Sequence, residues 1–387
     1  MNNIAIIGAG ITTFGESWDK SLRDMILEAS LLALSDAGLA PKNIDAIFIG
    51  NMLGSKTAGQ SHLGSLVATQ LGIDVDSTRV EAACASGGLA ILRAIESIQS
   101  GRHETVLVVG AEKMSDLSNG EITNALMEAG DEEWEMPYGA TFAGLYALMA
   151  KIHMQKYHTT ERQLAEVAVK NHYHASLNSH AHFRNTITVE QVLASPPVAT
   201  PLKLLDCCPN SDGGAAVILT SKRHVKSHHD PVFVLGAASA TDTLSLAQRA
   251  HISEIRATQK ASQQALKEAG VTQKDIDVLE VHDCFTIAEI MALEDMEFYK
   301  KGAAAKAIQR GETKLGGKLP VNVSGGLKAA GHPVGATGVK QAVEIVTQLR
   351  GKAQQRQVKN AKIGLTHNVG GTGATCVVHI FGKEDHA

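Results

Sequence analysis

With 387 residues the chain exceeds one ordinary domain, so two or three compact units sharing an interface are expected. Apolar residues make up 44%, enough for a large core, and 36 basic against 40 acidic residues leave a formal charge of −4, which excludes the electrostatic footprint of a nucleic-acid or anionic-membrane binder. Five scattered cysteines are too few for a disulfide framework, so each is to be weighed as core filler or as chemistry.

Met1-Asn2-Asn3 runs straight into the strand-like Ile4-Ala5-Ile6-Ile7, with no charged segment ahead of an apolar stretch and no run of membrane-spanning length. A cytoplasmic protein is expected, without membrane or nucleic-acid partners, and the final Asp385-His386-Ala387 do not match a peroxisomal address. Gly8-Ala9-Gly10 suggests a dinucleotide loop, but Thr13 stands where the third glycine of that fingerprint belongs, so a structural turn is expected there.

The chain then repeats itself at half its length. The opening strand recurs in type as Val232-Phe233-Val234-Leu235-Gly236-Ala237, and residues 33–45 recur at 265–277, each a helix end, a glycine cap and a polar turn into an apolar strand. In a third pair, Ala83-Cys84-Ala85-Ser86-Gly87-Gly88 holds the place in the first half that Gly331-His332-Pro333-Val334-Gly335-Ala336 holds in the second, and helical spacing of apolar residues follows both. Cys84 and His332 are thus predicted at equivalent helix N-termini of two α/β halves, residues 1–228 and 229–387, with helices on a mixed, largely parallel sheet and a helix layer between the halves. Residues of about 115–210 have few clear strands, many histidines and several polar clusters, and read as an inserted loop domain shaping substrate access.

A cysteine just ahead of a helix sees the positive end of its dipole, which favours thiolate and suits a nucleophile; a buried small hydrophobe is the other role open to it. In the second half, glycines crowd around His332, so its backbone can approach a ligand closely, and its imidazole could take the thiol proton of Cys84. Val281-His282-Asp283-Cys284-Phe285 ends an apolar strand, where catalytic groups of open α/β sheets gather; no second Cys/His pair at zinc spacing accompanies it, so no metal site is expected. Cys207-Cys208 read as filler or substrate lining, Cys376 as core, and Asp131-Glu132-Glu133-Trp134-Glu135 as a solvated acidic face. His172, His174, His180 and His182 lack a carboxylate or cysteine at ligand spacing and are expected on a solvated or substrate-facing loop.

Three of these motifs, the segment around Cys84, His282-Asp283-Cys284-Phe285 and Gly331-His332-Pro333 with Val334-Gly335-Ala336-Thr337-Gly338, lie in the order found in thiolases, and the chain resembles the sterol-carrier-type and archaeal acetoacetyl-CoA branch of that family. The resemblance implies a duplicated α/β fold of two βαβαβ-type halves in α-β-α-β-α layers, and Claisen condensation of acyl-CoA or the reverse thiolysis through an acyl-cysteine. It implies Cys84 as nucleophile, His332 as its base, Cys284 as the base that takes the proton beside a thioester carbonyl, and His282 holding a water at the enolate oxygen. The backbone N–H groups of Cys84 and Gly370 would form a second oxyanion hole, with His367 aligned to a cysteine that commoner thiolases carry before their last glycines. It further implies acyl-CoA and CoA as substrates, no permanently bound cofactor, and a homodimer or homotetramer, with a complex with other acyl-CoA enzymes open to such branches. A ketoacyl synthase or hydroxymethylglutaryl-CoA synthase, and a non-catalytic acyl-CoA carrier or scaffold, are the alternatives.

Overall fold

The computed structural model describes residues 4–225 and 230–383; Met1-Asn2-Asn3, the expected join at 228/229 and Asp385-His386-Ala387 lie outside the described residues. The first half opens with β1 (Ile4–Ile11), α1 (Leu22–Ala37), β2 (Ala46–Gly50) and the short α2 (Gly54–Thr57). It continues through α3 (Leu63–Leu71), β3 (Asp76–Val80), α4 (Ser86–Gln99) and β4 (Thr105–Glu112). After an insertion carrying α5 (Asn119–Met127), α6 (Phe142–Tyr157), α7 (Glu161–Ser176), α8 (Val189–Ala194) and the ribbon β5 (Pro197–Ala199) and β6 (Leu202–Lys203), the half closes with β7 (Gly213–Ser221) and a short α9 (Lys222–Val225). The second half follows with β8 (Val232–Thr241), α10 (Arg256–Ala269), β9 (Val278–Glu280), α11 (Thr286–Asp295) and α12 (Ala304–Gln309). It ends in α13 (Gly326–Ala330), α14 (Thr337–Leu349), β10 (Ile363–Gly370) and β11 (Thr375–Gly382).

The duplication read from the sequence is visible in hydrogen bonds. β3, β2 and β4 are parallel, with β7 antiparallel between β4 and β1; likewise β9 is parallel to β10, with β11 antiparallel between β10 and β8. Where the first half has β3, the second has only a parallel bridge of Val321 to Leu279. Asp45 accepts from the N–H groups of Glu104 and Thr105, and its counterpart Asp277 from those of Lys362 and Ile363, so each acid pins the start of the neighbouring parallel strand. The halves join edge to edge through Ala5–Phe233 and Ile6–Val232, giving nine strands in the order β3-β2-β4-β7-β1-β8-β11-β10-β9.

Gly8 lies inside β1 and not in the expected turn: a Cβ there would stand 2.3 Å from the Ala33 carbonyl oxygen of α1, and one at its counterpart Gly236 would stand 2.2 Å from that of Ala265 in α10. Glycine is needed because strand and outer helix touch backbone to backbone. Three cores follow from the layering. One lies under α1 and α3, one under α10 and α11, and the middle one around α4 and α14, which are covered by strands from both halves.

The insertion is helical, which differs from the loop expected. Ser118, Thr141, Thr160 and Thr188 cap α5, α6, α7 and α8, and Glu121, Gln163 and Gln191 close capping boxes on three of them. Its histidines are not solvated as a group. His174 is buried on α7, its Nδ1 bonded to the Asn322 carbonyl at 3.0 Å and its Nε2 accepting the Leu315 N–H, while His172 is bonded to the Asn185 carbonyl, because α7 packs against α13 and the 313–322 segment. Glu135 also departs from the acidic face: it is buried, accepting from the Asp131 and Leu246 N–H groups and so tying the insertion to the second half. Among the described residues no helix is long and apolar enough to cross a membrane.

Candidate active site

The nucleophile candidate sits on a tight turn. Ala83 has φ 51°, a left-handed conformation that costs a residue with a Cβ roughly 1–2 kcal/mol, and such strain is kept where it aims a functional group. The turn is closed by the Ala85 N–H on the Ala82 carbonyl and by Ser86 Oγ, which accepts the Ala82 N–H, and α4 begins at Ser86. Cys84 is therefore held two residues ahead of a central helix. His332 lies five residues ahead of the other central helix, α14, after Gly331 at φ 104°.

The two helix entries cross with no side chain between them. A Cβ on Gly87 would lie 2.7 Å from the Gly335 carbonyl oxygen, and one on Gly338 would lie 2.1 Å from the Gly88 nitrogen. Glu112, at the end of β4, fastens the crossing: it accepts from the N–H groups of Met52, Leu53 and Gly335 and from Asn51 Nδ2. Burial pushes its carboxyl up to about 7 against those donors.

Just beyond β9 the side chains of residues 282–284 divide between two sides. His282 and Cys284 point to one side, into the pocket; Asp283 points to the other, bonding the N–H groups of Leu327 and Lys328 and Asn171 Nδ2. One pocket of about 60 Å³ is lined by Cys84, His282, Cys284 and His332 together with Met114, Leu126, Phe142, Tyr146, Cys208, Val334 and Gly371. All four side chains singled out in the sequence thus meet. Cys84 Sγ and a ring nitrogen of each histidine lie within 4.8 Å of one another, and the two rings stand edge-on at 86° with centroids 5.1 Å apart. A larger groove of about 660 Å³ on the outer face beside α10 contains none of them.

Hydrogen bonds fix the tautomers. Thr337 Oγ1 donates to the Pro333 carbonyl at 3.0 Å and must therefore accept from His332 Nδ1–H at 2.7 Å, which leaves Nε2 of His332 as an unprotonated base. Asn368 is oriented by the Gly88 N–H on its Oδ1, so its amide nitrogen donates to the Cys84 carbonyl at 3.0 Å and to His282 Nδ1 at 3.3 Å. His282 then carries its proton on Nε2 and presents a donor to the pocket. Cys84, His282 and His332 have the spacing of a three-ligand metal site, but a protonated Nε2 cannot ligate, so the donor set does not suit a metal.

Burial governs the charges. It pushes the Cys84 thiol up to about 12, outweighing the Gly371 N–H and its own N–H, which pull the other way; the thiolate expected from the helix terminus is therefore not the resting form. Burial, with Lys340 adding to it, holds His332 down at about 3, and burial with the neighbouring His332 and His367 holds His282 well below the usual imidazole range. Cys284 is held well above the ordinary thiol range by burial and then by the sulfurs of Cys208 and Cys84. The resting pocket is neutral.

The last glycine-rich segment is displaced by one residue from the expected alignment. β10 runs through Gly370, so its alternation sends His367 to the outer face, where Nδ1 accepts the His282 N–H and Nε2 meets Thr258 Oγ1, while Asn368 takes the pocket side. In the same way Gly371, and not Gly370, lines the pocket with its N–H toward Cys84 Sγ. Cys208 lines the pocket, Cys207 packs against the core behind it, and Cys376 is buried in β11. Sequence reasoning gave no role to Thr337, which lies inside the Gly331–Gly338 motif, or to Asn368 next to His367, and missed Tyr146, for which a tyrosine among apolar residues of α6 gives no signal.

A model of the thiolase N-terminal domain matches residues 4–223, and one described as thiolase C-terminal domain-like matches 238–383. The chain belongs to the thiolase family. An acetyl-CoA acetyltransferase of Methanothermobacter thermautotrophicus is 50% identical to this thiolase over 99% of its chain and 100% of the relative. Human sterol carrier protein 2 is 34% identical over 97% of this chain and 71% of that protein. Among solved structures, a chain of the Ltp2-ChsH2(DUF35) aldolase superposes with a TM-score of 0.86 at 26% identity, covering 100% of this thiolase and 98% of that chain.

Proposed function

We propose that this thiolase is an acetyl-CoA acetyltransferase, condensing two acetyl-CoA or cleaving acetoacetyl-CoA with CoA, and that Cys84, His332, Cys284 and His282 carry the chemistry. The observation that carries this is the meeting of two thiols and two neutral imidazoles in one small pocket. His332 Nε2 takes the Cys84 proton as the sulfur attacks the thioester; Cys284 S–H protonates the departing CoA sulfur. The acetyl-enzyme then holds an imidazolium and the Cys284 thiolate, which removes a methyl proton from the second acetyl-CoA. Imidazolium at His332 and a water held by His282 stabilise the enolate oxygen. Its carbon attacks the acetyl group, and the expelled Cys84 sulfur recovers the proton from His332. The N–H groups of Cys84 and Gly371 flank Cys84 Sγ and suit the oxyanion of the acetyl-cysteine.

The space of about 60 Å³ beside the two sulfurs is small, which supports a short acyl group such as acetyl. The halves 1–228 and 229–387, with the segment of about 115–210 as pocket wall, are the working division. β3, the edge strand ending four residues before Cys84, supports pairing as a homodimer. CoA thioesters are read as the substrates, with no permanently bound cofactor. Membership of the thiolase family along both halves favours this reading over a ketoacyl or hydroxymethylglutaryl-CoA synthase. Incubation with acetoacetyl-CoA and CoA should consume the ketothioester, and acetyl-CoA alone should leave one acetyl group on Cys84; Cys84→Ala should lose both. Tight acetyl-CoA binding without an adduct would show a carrier instead.

A further inference from the structure

Tyr146 stands on α6 in the insertion, its side chain 1% exposed, and lines the pocket with both sulfurs. Its ring lies against that of Phe285, centroids 4.7 Å apart, which fixes it beside the residue that follows Cys284. Its hydroxyl donates to the Gly371 carbonyl at 3.1 Å and shares the pocket with Cys284 Sγ, the other acceptor it can turn to. One phenolic proton therefore has two acceptors, and which it serves depends on the state of the sulfur. A thiol can give its own proton to the phenolic oxygen and leave the O–H on the carbonyl. A thiolate can only accept.

We propose that Tyr146 is a catalytic residue of the condensation half-reaction, turning its O–H from the Gly371 carbonyl to the Cys284 sulfur when that sulfur becomes anionic. The inference rests on the acetyltransferase reading above. The carbonyl already holds the hydroxyl and the sulfur lines the same pocket, so the switch is a turn of the O–H within that pocket. The phenol keeps its proton throughout: the proton lost by Cys284 goes to departing CoA, and the one it regains comes from the acetyl methyl group. What Tyr146 supplies is an anion-directed hydrogen bond in a pocket whose burial otherwise disfavours a thiolate. It also links the two half-reactions, because Gly371 is the residue whose N–H faces Cys84.

The test separates those half-reactions. Acetylation of Cys84 is followed by mass spectrometry, and loss of the methyl proton by hydrogen–deuterium exchange of acetyl-CoA in D₂O, read by NMR. Tyr146→Phe keeps the ring packing; exchange should fall about 10-fold to about 100-fold with its pH limb moved to higher pH, and acetylation, in which Cys284 gives its proton to departing CoA, should slow as well. Unchanged exchange, or an exchange limb that stays in place in a folded variant, overturns the proposal. Site-specific 3-fluorotyrosine, a stronger donor of nearly the same shape, covers a folding failure of the phenylalanine variant: the exchange limb should move to lower pH, and an unmoved limb overturns the proposal. Wild-type protein that neither acetylates at Cys84 nor exchanges the methyl protons would instead sink the acetyltransferase reading, so the two failures are told apart.

Discussion

Replacing Thr337 by valine isolates the tautomer argument, because the two side chains share a shape and differ in the Oγ1 that accepts His332 Nδ1–H at 2.7 Å. The Pro333 carbonyl loses the Thr337 hydroxyl but keeps the Ala336 and Thr337 N–H groups at 3.0 and 3.1 Å, so the deficit falls on the imidazole alone. His332 is 6% exposed, and an unsatisfied buried donor costs about 1–3 kcal/mol. The ring relieves that cost by moving its proton to Nε2, the nitrogen that must be bare to receive the Cys84 proton. The same 1–3 kcal/mol, lost from the productive tautomer, slows acetylation about 5-fold to about 150-fold. Single-turnover acetylation by rapid quench and mass spectrometry reads this directly. Thr337→Ser restores the oxygen and should recover most of the rate, whereas a merely structural role would lower thermal stability without that recovery. Wild-type acetylation by Thr337→Val, or a serine variant as slow as the valine one, would refute the reasoning.

Acid should weaken the fold. Burial keeps His174, His332, His367 and His379 down at about 3 and His172 at about 4, so below the ordinary 6.5 the unfolded chain takes up protons that the folded one refuses. Their contribution is whole above pH 6.5 and is lost as pH falls, at about 1.4 kcal/mol per unit and histidine; His180, His182 and His282 are lowered too, while the carboxyls of Glu112 and Asp283, raised to about 7, and of Asp206, Glu280 and Asp295, also raised, act in the opposite sense but are five against eight. The urea midpoint at pH 5.5 should lie below that at pH 7, and an equal or higher one would show that the histidines are not held neutral. Leu126, on α5, walls the pocket, so Leu126→Ala should narrow the preference for acetoacetyl-CoA over 3-ketohexanoyl-CoA by about 10-fold or more. An unchanged ratio would remove this wall from the account of chain length.

Much of this was legible because duplication leaves paired signals. The repeat at 33–45 and 265–277 announced two halves, and Cys84 and His332 could be matched by position before any distance was known. Side-chain direction was less legible. A one-residue slip in a strand reverses its faces, which is why His367 was aligned to the place that Asn368 occupies and Gly370 to that of Gly371. The capping pairs Ser118 with Glu121, Thr160 with Gln163 and Thr188 with Gln191 were present in the insertion, yet its histidines suggested a wet loop; their burial depends on α13 and the 313–322 segment, far along the chain. The charge state of Cys84 depends on a balance between helix terminus and desolvation, and only the closed pocket shows which prevails.

At the crossing of Gly87 and Gly88 with Gly335 and Gly338, main chain rests on main chain. The spacing of the two reactive groups is thereby written into peptide geometry, and exchange of ordinary side chains elsewhere leaves it untouched. Selection can remodel Leu126 and Phe142, which come from the insertion, to admit new acyl groups while the machinery beneath stays in register. The crossing itself has no such latitude, since a single methyl group there would force apart the very halves whose apposition makes the chemistry.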